Sequence, residues 1–290
     1  MSNNKTINHK VDYNVLSFGE VLFDLIGGKY FLGGAPLNFA WYVDQMGIDI
    51  SMLSAVGKDT LGDRALSLIS QSGINPFISK NERPTGTVNV QVDGSFDIIR
   101  NVAWESIQIP NSLPKHFDMV YFGTSAQLSP HNRVTLQQLM AYHPRHSFLD
   151  LNLRKNCYTN EIIIQSLEMA SILKMNSYEW DVVQELSSTA TIKDLMHQHD
   201  LEMVAITHAE KGASIFTPSN TREYTPHQVE TIDSTGAGDA FSAVLASGIL
   251  READIDKTLA AACHAGANTV SKKGAMTPIP YDIKTQFTRD

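Results

Sequence analysis

Short apolar runs alternate with amphipathic segments along most of the chain. Pro36 suits a first helical turn and Gly47 a helix end, while Asp59 or Thr60 is expected to cap a second helix. Strands that alternate with helices favour an α/β fold with a doubly wound, mainly parallel sheet covered on both faces. The apolar runs predict strands at 15–18, 119–122, 147–151, 171–175 and 203–207. Apolar residues at helical spacing predict helices at 36–46, 60–72, 134–142, 161–169 and 178–186.

One segment has the two-residue period of a half-buried strand. Residues 87–92 alternate between apolar and polar, Asp93 and Gly94 form a turn signal, and the run 96–99 follows. This pattern predicts an antiparallel hairpin, and the stretch 22–31 is a candidate to pair with it. We therefore expect one domain over 1–290, with a small β-sheet lid from about 22–33 and 84–102. The same sheet is equally suited to be a dimer surface.

Composition narrows the class of protein. The chain has 290 residues and a formal net charge of −8, from 23 Lys and Arg against 31 Asp and Glu. An acidic balance without basic clusters argues against nucleic acid or an anionic membrane surface as a partner. No apolar run reaches the roughly 18 residues of a membrane helix, and Cys157 and Cys263 do not form the pattern of a secreted disulfide framework. These features indicate a cytoplasmic protein.

Several common catalytic motifs are absent from the sequence. The Gly-Lys pairs at 28–29 and 57–58 precede Tyr30 and Asp59, not the Ser or Thr of a Walker P-loop. The sequence contains no G-x-G-x-x-G, G-x-S-x-G, H-E-x-x-H or C-x-x-C. The chemistry therefore has to be sought elsewhere.

The most informative run is Asp-Ser-Thr-Gly-Ala-Gly-Asp at 233–239, directly before an apolar helical segment. Glycines at the start of a helix leave backbone N–H groups exposed, and the helix dipole makes that end a site for a phosphate or an oxyanion. Asp239 lies at the same end, where a carboxylate is able to accept a proton from a hydroxyl group. The plainer alternative is a glycine turn in which Asp239 only caps the helix.

A second glycine pair, Gly33 and Gly34, precedes the helix that carries Asn38 in its first turn. The Asn amide offers both a donor and an acceptor to a polyhydroxylated ligand, and Asp24 upstream adds an acceptor. The alternative here is a tight turn followed by a first-turn Asn with no ligand.

These two runs, in this order, resemble the two signatures of the ribokinase (PfkB) family of carbohydrate kinases. The similarity extends over nearly the whole chain, and four further segments are similar to the fructokinase branch, at 18–24, 32–36, 84–87 and 150–154. The resemblance implies a ribokinase-like fold and transfer of the γ-phosphoryl group of ATP to a sugar hydroxyl.

The resemblance also assigns roles to residues. Asp239 matches the catalytic base, and Arg154 matches a basic residue near the transferred phosphate. The anion hole of the family corresponds to Gly236, Ala237 and Gly238. The sugar-binding residues correspond to Asp24, Gly33, Gly34 and Asn38.

For the nucleotide and the cations, the resemblance implies a second set of residues. Asn176 and Glu179 match an N-x-x-E element associated with magnesium and phosphate, with Glu179 acting on Mg²⁺ through water; the alternative is a helix capping box. Asp233 and Thr235 match a loop that holds K⁺ in many relatives. The adenine slot is expected between 207–212 and 262–274, with Thr207, Gly212 and Asn268 as contacts.

One departure from the family pattern falls at this nucleotide edge. Ala209 stands where relatives have the first glycine of T-x-G-x-x-G, and a required positive φ at that position would strain an alanine.

Taken together, the sequence predicts an ATP- and Mg²⁺-dependent, fructokinase-like sugar kinase that forms a homodimer through the lid. The alternatives within the family are a 2-keto-3-deoxygluconate kinase, a ribokinase and a nucleoside kinase. An alternative of another class is a sugar-binding regulatory protein without catalytic activity.

Overall fold

A computed structural model describes residues 11–90 and 96–287 of the chain. Within these residues, the strands are β1 (Val11–Phe18), β2 (Leu22–Ile26), β3 (Lys29–Gly33), β4 (Ile48–Gly57), β5 (Asn75–Asn81), β6 (Gly86–Val90), β7 (Phe96–Ile98), β8 (Met119–Phe122), β9 (His146–Asp150), β10 (Ile172–Asn176), β11 (Met203–Thr207), β12 (Ala213–Phe216) and β13 (Thr221–Tyr224). The helices of four or more residues with α geometry are α1 (Ala35–Gln45), α2 (Thr60–Ile69), α3 (Pro130–Met140), α4 (Asn160–Met169), α5 (Ser177–Ser187), α6 (Ile192–Gln198), α7 (Ala237–Leu250), α8 (Ile255–Val270) and α9 (Tyr281–Thr285).

The main sheet has nine strands in the order β13-β12-β11-β10-β9-β8-β1-β4-β5. Seven of them are parallel, and β12 and β13 form an antiparallel edge. From β1 the chain adds β4 and β5 on one side and later adds β8 and its successors on the other. The strand order therefore reverses between β1 and β8, and in such sheets ligands bind at the carboxyl ends of the strands near this point. The predicted doubly wound, mainly parallel sheet is confirmed.

Helices cover both faces of this sheet, because side chains along each strand alternate between two cores. On β8, Met119 and Tyr121 pack into the core formed with α1, α2, α7, α8 and α9. Val120 and Phe122 pack into the opposite core, formed with α3, α4, α5 and α6. The predicted start of the second helix is also confirmed, since the Asp59 side chain accepts a hydrogen bond from the Gly62 amide at 2.7 Å.

A smaller sheet of four strands, in the order β3-β2-β6-β7, lies beside the main one. Gly27 and Gly28 form the two-residue turn between β2 and β3, both with positive φ, as a tight hairpin turn requires. Strand β2 pairs in parallel with β6, and β6 pairs in antiparallel fashion with β7. The predicted turn at Asp93 and Gly94 lies outside the described residues. Because β2 follows β1 after three residues, the small sheet sits at the carboxyl end of β1.

In the part of the chain that the structure describes, every helix is too short or too polar to cross a membrane.

Candidate active site

Residues from distant parts of the chain meet in a cavity of about 170 Å³ at the carboxyl ends of β1 and β9. Its lining includes three residues predicted to bind the sugar, Asp24, Gly34 and Asn38, and one predicted to lie near the phosphate, Arg154. Gly236, Gly238 and Asp239 line its opposite wall. Gly33 lies directly behind Asp24, where a Cβ atom would come within 2.8 Å of Asp24 Oδ2.

The wall formed by the start of α7 has the geometry of an anion site. Gly236 has φ of 79°, and a Cβ there would lie 2.2 Å from the Ala275 carbonyl oxygen, so only glycine fits. Among the described residues, the amides of Gly236 and Gly238 have no protein acceptor, and the Ala237 amide has only a long contact of 3.4 Å to Ser234 O. Unpaired N–H groups at a helix N-terminus bind anions.

Asp239 is placed to act as a base in this cavity. Its Oδ2 atom accepts a hydrogen bond of 2.8 Å from Asn38 Nδ2. Burial, followed by the nearby charge of Asp150, raises the pKa of Asp239 to about 6, although the bond from Asn38 opposes this rise. The carboxylate is therefore ionised at neutral pH, with a pKa close enough to the working pH for efficient proton acceptance.

The carboxyl group of Glu20 also faces the cavity, and its role was not predicted from the sequence. Glu20 is 8% exposed, and burial raises its pKa to about 7. Hydrogen bonds from its own amide and from that of Ala35, at the start of α1, lower this pKa. Burial likewise raises the pKa of Asp24 to about 6, against the attraction of Arg154. Three carboxyl groups, those of Glu20, Asp24 and Asp239, thus share one small cavity.

Lys174 and Asp150 form a buried ion pair next to the start of α7. Lys174 Nζ is 3.0 Å from Asp150 Oδ1 and 3.3 Å from Asp150 Oδ2. The hydroxyl groups of Tyr121 and Ser242 donate to Asp150 Oδ2 at 3.1 and 2.8 Å. Lys174 itself lines the cavity.

A second cavity, of about 390 Å³, opens on the other side of the start of α7. It is lined by Thr207 and Gly212 from one predicted stretch and by Cys263 and Ala267 from the other. The structure therefore brings together the two segments between which the adenine slot was expected. Both cavities include Gly238 in their walls, so the predicted anion hole lies between them.

The structure does not bring the Asn268 side chain to this cavity. Asn268 Nδ2 donates to the Pro278 carbonyl oxygen at 3.1 Å, and Oδ1 accepts from Lys272 at 2.8 Å. The wall is formed by Gly266 and Ala267 of the same helix instead. Successive residues of a helix differ by about 100° in direction, which explains the displacement.

Ala209, which replaces the first glycine of the family pattern T-x-G-x-x-G, has the positive φ that strains an alanine. Its φ is 52°, in the left-handed region, and Gly212 at the end of the same turn has φ of 91°. A left-handed alanine costs about 1–2 kcal/mol. Both residues line the second cavity, so the strain lies at its edge.

A family model described as pfkB family carbohydrate kinase matches residues 6–282. This chain belongs to the pfkB family of carbohydrate kinases. Fructokinase of Escherichia coli is 24% identical to it in an alignment 271 positions long, which covers 86% of this kinase and 88% of that enzyme.

Solved structures have the same fold as this kinase. An uncharacterized sugar kinase from Pyrococcus horikoshii superposes with a TM-score of 0.83 at 25% identity, over 94% of this kinase and 99% of that chain. A double mutant of fructokinase from Vibrio cholerae, solved with fructose, ADP and potassium ion, has a TM-score of 0.81 at 24% identity. This match covers 95% of the kinase and 98% of the Vibrio chain. The predicted family is confirmed.

The N-x-x-E element of the kinase forms a helix capping box. Asn176 Oδ1 accepts from the Glu179 amide at 2.9 Å, and Glu179 Oε2 accepts from the Asn176 amide at 2.8 Å. Glu179 Oε1 accepts from the Leu153 amide at 2.8 Å. Burial raises the pKa of Glu179, against the attraction of Lys174.

These residues suit an indirect contact with Mg²⁺, through water, better than direct coordination of the ion. In the described residues no three His, Cys, Asp or Glu side chains are grouped as metal ligands. Each oxygen of Glu179 already accepts one backbone N–H, and a carboxylate has lone pairs left for a water molecule. Mg²⁺ usually keeps several waters and binds few protein ligands, so Glu179 suits contact through water.

Asp233 fixes the loop of the kinase that precedes α7. Asp233 Oδ1 accepts from the Thr235 amide and Oδ2 from the Gly274 amide, each at 2.9 Å. Partial burial raises the pKa of Asp233, but a hydrogen bond from the Thr235 side chain, together with these two amide bonds, holds it below its usual value. The loop is also supported from behind, because Tyr42 Oη donates to the Ala275 carbonyl oxygen at 2.8 Å. The potassium site at Asp233 and Thr235 stays a prediction.

Proposed function

We propose that this carbohydrate kinase transfers the γ-phosphoryl group of ATP to a hydroxyl group of a small neutral sugar, with fructose as the preferred acceptor. The observation that carries the proposal is the position of Gly238 in the walls of both cavities, with the Asp239 carboxylate on the smaller side. ATP in the larger cavity would point its terminal phosphate at the anion hole, and a sugar in the smaller one would present a hydroxyl group to Asp239.

The proposed step uses the residues of this wall as follows. The hydroxyl oxygen of the sugar attacks the γ-phosphorus, and its proton passes to the Asp239 carboxylate. The bond between the γ-phosphorus and the β,γ-bridging oxygen breaks, and its electron pair leaves with ADP. The amides of Gly236 and Gly238 stabilise the charge on the transferred group, which is the main contribution of the protein in phosphoryl transfer. Arg154 adds a guanidinium that suits phosphate oxygens.

The shape and charge of the smaller cavity support a neutral sugar. At about 170 Å³ it is smaller than pockets for drug-sized ligands, which favours a single sugar ring over a nucleoside. The carboxyl groups of Glu20, Asp24 and Asp239 outnumber the two basic side chains of the same cavity, those of Arg154 and Lys174, which favours a neutral sugar over a sugar acid or a sugar phosphate. The similarity to fructokinases from Escherichia coli and Vibrio cholerae supports fructose as the first acceptor to test.

The test is ADP release with Mg-ATP and a panel of acceptors: fructose, ribose, 2-keto-3-deoxygluconate and adenosine. We expect the highest kcat/KM with fructose and loss of activity when Mg²⁺ is chelated. Preference for another acceptor would replace fructose in the proposal. Absence of acceptor-dependent ADP release across the panel would favour the sugar-binding protein without catalytic activity.

We further propose that the small sheet closes over the sugar and pairs with a second copy of the chain. The apolar side chains Ile26, Tyr30 and Phe31 of this sheet, and Ile99 directly after β7, are exposed, by 37% to 50%. Closure would exclude water as a competing phosphoryl acceptor. Light scattering after size exclusion should give the mass of a dimer for the wild type and of a monomer for Phe31→Glu. A wild-type monomer would contradict the pairing.

A further inference from the structure

We propose that Lys174 is a further catalytic residue, whose ammonium group contacts the transferred phosphoryl group from beneath the anion hole. This inference rests on the proposed phosphoryl transfer. Lys174 lies on β10, two residues before Asn176, and its side chain reaches the sugar cavity alongside Arg154 and Asp239.

The position of the ammonium relative to the anion hole is the first observation. Lys174 Nζ lies 2.9 Å from where a Cβ atom on Gly238 would be. The absence of a side chain at Gly238 therefore leaves the ammonium directly against the backbone whose amide faces the cavity. A phosphate oxygen bound at Gly238 would come within reach of this charge.

The hydrogen bonding of the ammonium is the second observation. An ammonium group has three N–H donors, and the acceptors of Lys174 in the described residues are the two oxygens of Asp150. One donor is thus left over on a side chain that is 9% exposed. Because Lys174 lines the cavity, a phosphate oxygen bound there would supply an acceptor for this third donor.

The surroundings of Asp150 are the third observation. Besides Lys174, Asp150 accepts hydrogen bonds from Tyr121 and Ser242. These three donors share the two oxygens of the Asp150 carboxylate, which thereby fixes the position of the ammonium group. Burial lowers the pKa of Lys174, but Asp150 and Glu179 outweigh this and raise it. Lys174 therefore stays charged and transfers no proton.

The alternative is a purely structural ion pair that joins β9 to β10. Removing one member of a buried pair leaves an uncompensated charge and destabilises the fold, so Lys174→Met alone would not separate the two roles. The double variant Asp150→Asn with Lys174→Met removes both charges together. Its matched control is Asp150→Asn, which keeps the lysine.

The experiment compares the affinities of these two variants for ADP and for adenylyl-imidodiphosphate, by calorimetry with Mg²⁺ and without sugar. If Lys174 contacts the terminal phosphoryl group, the double variant binds adenylyl-imidodiphosphate about 10-fold or more weaker than the control. ADP affinity should be equal in the two variants. With an acceptor present, kcat should fall by about 10²–10³ relative to the control.

Equal affinities of the two variants for adenylyl-imidodiphosphate would overturn the proposal, as would a parallel loss for ADP. Circular dichroism and the melting temperature check that both variants fold. Because the binding comparison needs no acceptor, it reports on Lys174 even if the wild-type enzyme phosphorylates none of the sugars tested, an outcome that would instead refute the proposed function.

Discussion

Asn38 Nδ2 donates a hydrogen bond of 2.8 Å to Asp239 Oδ2, across 201 positions of sequence. The bond joins the first turn of α1 to the first turn of α7. The other end of the same amide, Asn38 Oδ1, is buried and has no hydrogen-bond partner within residues 11–90 and 96–287. An acceptor left unpaired in this way points to a donor supplied by a ligand, and a sugar hydroxyl group next to Asp239 would be such a donor.

Replacing Asp239 should separate turnover from binding. Asp239→Asn removes the proton acceptor but keeps the size of the side chain and an oxygen for the bond from Asn38. We expect kcat to fall by about 10²–10⁴-fold, while calorimetry shows ADP binding within a factor of a few of the wild type. Asp256→Asn, at an exposed position of α8, is the control. Near-normal turnover in Asp239→Asn would remove this residue from its role.

The pH dependence of kcat/KM should report the ionisation of Asp239. The pKa of this carboxyl group is about 6, and only the ionised form accepts a proton, so activity should fall as the pH drops below about 6. The bond from Asn38 lowers this pKa; Asn38→Ala should therefore move the acidic limb to higher pH by about one unit. A limb that stays in place or moves to lower pH would assign the titration to another group.

Glu20 should make the stability of the free enzyme depend on pH. Its pKa is about 7 in the folded protein against an ordinary value of 4.5, so the buried carboxylate destabilises the fold once it ionises. Glu20→Gln should raise the free energy of unfolding by about 1–3 kcal/mol at pH 8 and change it little at pH 5. Urea unfolding at both pH values measures this. A difference that is the same at both would contradict the burial of an ionising group.

Arg154 should matter more for turnover than for sugar binding. Its guanidinium lines the cavity beside Gly238 and Asp239, where it is suited to phosphate oxygens. Arg154→Ala should lower kcat by about 10-fold or more, with a small change in the Kd for fructose. Arg222→Ala, on the exposed edge strand β13, serves as the comparison. A raised sugar Kd with unchanged kcat would place Arg154 on the sugar instead.

A potassium requirement would support the loop at Asp233 and Thr235 as a cation site. We expect faster turnover in KCl than in NaCl at equal ionic strength, and loss of this difference in Asp233→Asn. Asp233 also accepts hydrogen bonds from the amides of Thr235 and Gly274. The melting temperature of the variant must therefore be measured as well, to show that the loop still folds. Equal rates of the wild type in both salts would leave the site without support.

The sequence could predict those parts of the site in which the backbone itself, at glycines, approaches a ligand or adopts an unusual φ. The glycines of the run 233–239 and the pair Gly33 and Gly34 have few uses besides close approach and unusual φ, so their position before apolar helices indicated ligand contact. The alternation at 87–92 similarly predicted a hairpin outside the parallel sheet. In each case the pattern is local, and local geometry follows from it.

What the sequence could not show depends on tertiary contact. Strand β4 was not predicted, because Ser51 and Ser54 interrupt its apolar run; in the fold, Ser54 Oγ is buried and donates to the Gly19 carbonyl oxygen. Glu20 and Lys174 lie in segments that resemble the family, but the sequence assigned neither a role, because only the fold places both at one cavity. The Asn268 side chain lies away from the larger cavity because packing, which the sequence does not show, decides which side of α8 faces that cavity.

The support behind Gly236 has a consequence for biosynthesis. The carbonyl group of Ala275 lies against that glycine and accepts a hydrogen bond from the hydroxyl group of Tyr42. Residues up to at least 275 must therefore have left the ribosome before the proposed phosphate-binding loop acquires its final form. Nascent chains and fragments that stop near residue 270 should carry every residue proposed for chemistry and still be unable to consume ATP.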